Sequence, residues 1–172
     1  QVKIINLRPP EITAAWERGD IDATYVWEPA LSKVKATGHV LTDSKQVGEW
    51  GAPTYDLWVV RKDFAEKNPE FLKAFVKTSL KQIESYNQDP KAFEQNANNI
   101  QKIAQLTGSD VKDIPLLLSG NIYLDRQQQQ ATLSGEFAKN IFDTATFLKS
   151  QGKVDQVKPD YQANVTTQFL QP

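Results

Sequence analysis

GDIDATYVWEPALSKVKATGHVLTDSKQVGEWGAPTYDLWVV, from Gly19 to Val60, is the stretch on which the reading of this chain turns. It holds three of the four tryptophans, Trp27, Trp50 and Trp58, together with Tyr25 and Tyr55. Glu28, Glu49 and Asp56 stand beside them. Ile21–Trp27 and Leu57–Val60 read as short apolar strands, each meeting a turn or a proline near one end. Aromatic faces exclude water and attract an ammonium group. A carboxylate at the same place fixes that ammonium by a charge-assisted hydrogen bond. The pattern therefore predicts a pocket for a small cationic or zwitterionic ligand.

Outward from this stretch, Val2–Leu7 is short, apolar and β-branched, which predicts a buried strand. Pro10 suits the first turn of a helix through Arg18, with Ile12, Ala15 and Trp16 on one face and Gly19 as its stop. Strand, helix and strand in so short a span predict a βαβ unit with a right-handed crossover. Pro29–Lys35 reads as a helix ended by Gly38, His39–Thr42 as a third strand, and Leu57–Arg61 as a fourth. Ser44–Pro53, with its two glycines and proline, reads as a loop and crossover, and Asp63 as an N-cap.

Strands then give way to helices. Pro69–Asn87 puts Leu72, Phe75, Val76, Ser79, Leu80, Ile83 and Tyr86 on one face. Shorter helices are predicted over Pro90–Asn96, Ile100–Thr107, Ser109–Ser119 and from Asp125 to Gln130. Glu136–Lys149 turns Phe137, Ile141, Phe142, Ala145 and Leu148 inward, Gly152 ends it, and a last helix is predicted over Pro159–Phe169.

Composition narrows the function. A net charge of −1 with Lys and Arg scattered among acids argues against a nucleic-acid surface. Cysteine is absent and His39 is the one histidine, which removes thiol chemistry, disulfides and multi-histidine metal sites. No apolar run approaches the ~20 residues that span a bilayer. No glycine-rich phosphate loop or acid–base pair stands out, and no cofactor is expected. A chain that opens on QVKIINL, without methionine or a leader, reads as starting inside a longer protein.

GDIDATYVWEP, VLTDSKQVGEWGAPTYDLWVVRKDFAEKNPE, NIYLDRQQQ and FDTATFLKSQGKV together resemble the second half of the taurine-binding periplasmic proteins, along nearly the whole chain. The resemblance implies the C-terminal portion of a two-lobed, α/β type II periplasmic binding protein. Residues 1–44 would end the second lobe, 45–52 would cross over, and 53–172 would complete the first. It implies a non-enzymatic component that closes over taurine or another small sulfonate and delivers it to an ABC transporter permease. Without their sheet neighbours, the early strands predict self-association or pairing with a missing N-terminal half.

The resemblance implies that Asp56 pairs with the ligand ammonium, Tyr55 lies beside it, and Trp27 and Trp50 enclose the ligand. The plain alternatives are a turn-forming Asp and packed aromatics. Trp16 and Trp58 read as packing. Glu28 departs from the family, where a small residue stands between this Trp and Pro29. A second carboxylate in the pocket would disfavour a sulfonate, whereas a helix-start Glu is favoured by the helix dipole. Sulfonate donors would come largely from outside these residues.

Other classes fit less well. An effector-binding domain of a transcription regulator would need an upstream DNA-binding region, and an enzyme on this fold would need His or Cys near the cleft. A binding protein for nitrate or another small anion would leave Asp56 without a partner.

Overall fold

The computed structural model describes residues 2–171, and every regular element among them is helical. α1 (Pro9–Arg18) begins at the two prolines, and the Glu11 carboxylate accepts the Arg8 backbone N–H at 2.7 Å. It buries Ile12 and Ala15, with Trp16 half-buried. α2 (Ala30–Lys35) packs on α1 and buries Ala30 and Val34. Ile12, Val26, Ala30 and Val34 form one core, with Leu7, Trp16, Ile21 and Leu31 at its margin.

The loop predicted from Ser44 to Pro53 is in fact largely a helix, α3 (Ser44–Glu49). Its closing turn explains the difference. Gly51 takes φ 97°, a left-handed conformation costly for any residue with a Cβ. The Ala52 N–H then reaches the Val47 carbonyl at 3.1 Å, and the Gly51 N–H reaches that of Gly48 at 2.9 Å. This pair of bonds is a helix-terminating motif. Gly51 and Pro53 therefore punctuate a helix end where the sequence suggested a loop.

α4 (Lys62–Lys67) begins after Arg61, so Asp63 is not the cap. It lies inside the first turn, where its carboxylate takes two hydrogen bonds from Arg61, at 3.0 and 2.7 Å. α5 (Pro69–Gln88) follows the prediction closely. Leu72, Leu80 and Tyr86 are buried, and Phe75, Val76, Ser79 and Ile83 are half-buried.

α6 (Pro90–Gln95) and α7 (Ala97–Thr107) come next. The single helix predicted over Ser109–Ser119 is instead a 3-10 turn, Val111–Asp113, followed by α8 (Ile114–Ser119). Pro115 cannot donate the backbone bond that a continuous helix would require there. Ile100, Ala104 and the fully buried Ile114 make a second small core.

α9 (Arg126–Ser134) opens with a reciprocal cap: Asp125 Oδ1 accepts the Gln128 N–H at 2.8 Å, and Gln128 Oε1 accepts the Asp125 N–H at 2.9 Å. α10 (Phe137–Ser150) buries Phe137 and Ala138. Phe142, predicted inward, is exposed; it sits about 100° around the helix from Ile141 and off the buried stripe. The last predicted helix is replaced by two 3-10 turns, Gln162–Asn164 and Gln168–Leu170. The β-branched run Val165-Thr166-Thr167 between them disfavours helix, and Val165 is extended.

The four predicted strands, 2–7, 21–27, 39–42 and 57–61, form no sheet among the described residues. A strand is stabilised by a ladder of a neighbour's N–H and C=O groups, and no such ladder forms among the described residues. Ile4 and Val59 accordingly stand 88% and 92% exposed. Around α1 the segments predicted as strands carry no regular structure among the described residues.

The chain divides into two units. One takes the chain up to Asp43 together with Pro90–Ile122. The other takes Ser44–Asp89 together with the chain from Tyr123 onward. In the second unit α5 packs on the Gln168–Leu170 turn, and Arg126 donates to the Leu170 carbonyl at 2.7 Å. No helix of the described residues is long and apolar enough to cross a membrane.

Candidate ligand-binding site

In the first unit, Val26 is buried in the α1–α2 core while Trp27, the next residue, is 63% exposed. The Trp27 carbonyl accepts the Leu31 N–H at 3.0 Å as α2 begins. Glu28 Oε2 accepts the Ser32 N–H at 3.0 Å. That is the helix-start role that the positive end of a helix favours for an acid, and it occupies one of the two carboxylate oxygens.

The other candidates lie in the second unit. Trp50 follows α3 immediately, held in its closing turn by a bond from its N–H to the Gln46 carbonyl at 3.1 Å. Its side chain is 68% exposed. An exposed indole at a helix end has no packing duty within this unit. Tyr55 is held on two sides: its ring meets Phe137 edge-on with centroids 5.0 Å apart, and its hydroxyl accepts Asn140 Nδ2 at 3.1 Å. Asp56 is exposed and makes no hydrogen bond or ion pair with the described residues. Its carboxylate is therefore free to take a cationic partner. Trp58, predicted to pack, is 80% exposed and touches Phe75 by one edge at 5.0 Å.

Of these candidates Tyr55 lines a recess of about 250 Å³ in the second unit, whose wall also carries Glu136, and Trp50 and Asp56 do not line it. Gly48, Gly51 and Pro53 line it from the closing turn of α3, Tyr55 from the following segment, and Phe137 and Asn140 from α10. Trp50 and Asp56 are sequence neighbours of its walls. A wider hollow of about 450 Å³ lies by Val59–Phe64 and Lys67; Arg61 and Asp63 on its wall pair with each other, and it holds none of the predicted site residues. Phe137 was legible as an inward residue of its helix. Asn140 gave no signal in the sequence, because a lone polar residue on a helix reads as solvated. Among the described residues no cluster of three or more His, Cys, Asp and Glu is placed to hold a metal.

Residues 5–105, which include Trp27, Glu28, Trp50, Tyr55 and Asp56, match the family described as the substrate-binding domain of the ABC-type glycine betaine transport system. The chain belongs to that family. The taurine-binding periplasmic protein of Escherichia coli (strain K12) is 54% identical over 171 residues, covering 99% of this chain and 53% of the relative. A Bacillus subtilis (strain 168) protein named "Putative aliphatic sulfonates-binding protein" is 27% identical over 175 residues, covering 98% of this chain and 47% of the relative. The chain spans about half the length of the curated relatives it matches.

Proposed function

We propose that these residues form the C-terminal part of the substrate-binding component of an ABC importer that captures taurine or a related small sulfonate. The observation that carries the reading is the 54% identity to a taurine-binding periplasmic protein along 99% of the chain. In the whole protein the fold is two-lobed and α/β. Residues 1–44 end one lobe, 45–52 cross over, and 53–172 complete the other. The apolar segments 2–7, 21–27, 39–42 and 57–61 pair there with strands that lie outside these residues. The lobes close over the ligand in the periplasm, and the closed form docks on the permease.

In this reading Asp56 takes the ligand ammonium, Trp27 and Trp50 wall it, and Glu28 stays at its helix start. The unpartnered Asp56 carboxylate and the two exposed indoles support these roles. Glycine betaine and taurine both join a cationic nitrogen to an acid group. The 54% identity to a taurine-binding relative along 99% of this chain favours the sulfonate.

Calorimetry on the full-length protein tests this with taurine and with ethanesulfonate, which lacks the amine. Asp56→Asn keeps the shape and removes the charge, so taurine should lose the ~1.5–3 kcal/mol of a hydrogen bond to a charged group. Ethanesulfonate should lose less or bind better. Equal losses for both would remove Asp56 from the ammonium site.

A further inference from the structure

We infer that Tyr55 and Asn140 form a clasp that positions Asp56, an inference that rests on Asp56 being the ammonium partner. Residues 52–61 lie in no helix or turn, so no backbone ladder fixes the direction in which Asp56 projects. Within 52–60, the bond from Asn140 Nδ2 to Tyr55 Oη at 3.1 Å is the one side-chain hydrogen bond to a described residue. It reaches across 85 positions of sequence. The Tyr55 ring is braced as well, edge-on against the buried Phe137 at 5.0 Å.

Both anchors stand on one turn of α10, a 14-residue helix, so the brace is a rigid element rather than another loop. Adjacent Cα atoms are about 3.8 Å apart. A Tyr55 fixed at both ring and hydroxyl therefore leaves Asp56 little freedom to swing. Charge-assisted pairing depends on such placement. Tyr55 Oη thus serves as an acceptor for Asn140, and its contribution to the ligand passes through Asp56. Tyr55 and Asn140 are positioning residues, which set selectivity for ligands carrying an ammonium.

The test titrates taurine and ethanesulfonate into the full-length protein carrying Tyr55→Phe, Asn140→Ala or both. Tyr55→Phe keeps the ring contact with Phe137 and removes only the hydroxyl. Each single variant should lower taurine affinity about 2- to 12-fold, the span of one neutral hydrogen bond. Ethanesulfonate should change less than about 2-fold, and the double variant should be no worse than either single one. Equal losses for both ligands would make the pair merely structural and overturn the clasp. So would a loss with Tyr55→Phe but none with Asn140→Ala, which would place the hydroxyl on the ligand itself. Asp56→Asn runs alongside. If it shows selective loss of taurine while the clasp variants do not, the clasp fails and the ammonium site stands. If it shows none, the ammonium site fails and the clasp falls with it. Should Asn140→Ala not fold, Tyr55→Phe alone decides, since unaltered selectivity in it overturns the clasp.

Discussion

The indole of Trp16 lies directly on Gly38: a methyl carbon at position 38 would sit 2.9 Å from Trp16 Cζ2 and 3.0 Å from the Val34 carbonyl oxygen. The same indole donates from Nε1 to Thr37 Oγ1 at 2.9 Å. One side chain of α1 thereby closes over the turn that ends α2. Gly38→Ala should force the ring or the turn to shift and destabilise the protein by the ~1–3 kcal/mol of an overpacked contact. Denaturant unfolding of the full-length protein checks this, with a lowered midpoint at unchanged slope expected. An unchanged midpoint would mean that the ring moves aside freely.

Trp16 also shows what was legible in the sequence. The helical face of Ile12, Ala15 and Trp16 was written in its spacing, as was the whole stripe of α5, because a 3.6-residue period leaves a local record. The α9 cap could be read from Asp125. Other features depend on partners far away in sequence. The four apolar segments have strand composition, yet a ladder needs neighbours that these residues do not supply. α3 was missed because Gly51 and Pro53 signal both loops and helix ends, and hydrogen bonds to Val47 and Gly48 decide between them. At the candidate site, Asp56 and the tryptophans stood out by residue type. Asn140 did not, since its significance lies in a contact with Tyr55 85 positions away.

Asp110 should titrate below its ordinary value of 3.8, because the Lys112 ammonium and the Lys112 backbone N–H both bond its carboxylate. A depressed folded-state pKa contributes stability that is present above the unfolded value and lost as pH falls through the folded one. The loss therefore belongs to the acid side of about pH 3.8. A carboxyl NMR titration should place the Asp110 midpoint below that value, and Lys112→Ala should move it back up. A midpoint indifferent to Lys112→Ala would show that the pair does not persist in solution.

If Trp27 and Trp50 wall the ligand, taurine should change the intrinsic tryptophan fluorescence of the full-length protein. Both indoles are largely exposed here, and their emission should shift once water is displaced from their faces. Trp16→Phe should leave most of the change in place, since Trp16 is occupied by Gly38 and Thr37; Trp58→Phe should do the same, because this reading puts Trp58 outside the ligand's walls although it is 80% exposed. A full signal in the Trp27→Phe, Trp50→Phe double variant would mean that other tryptophans report the ligand.

The 172 residues on their own should associate and bind taurine poorly. Ile4 and Val59 hold apolar side chains in water, on segments that form no ladder among the described residues, and such segments invite pairing with another chain. Burial of such surface is favourable by roughly 25 cal/mol per Å², so a second copy or the remainder of the protein should cover it. The sulfonate needs donors of its own, and Asp56 supplies only the cationic end of the recognition. Affinity of the isolated chain should therefore be no better than about millimolar, a binding free energy near −4.1 kcal/mol. Light scattering should find dimers or larger species, and calorimetry should find weak binding or none. A monodisperse monomer that melts cooperatively and binds taurine tightly would show instead that the site is complete within these residues.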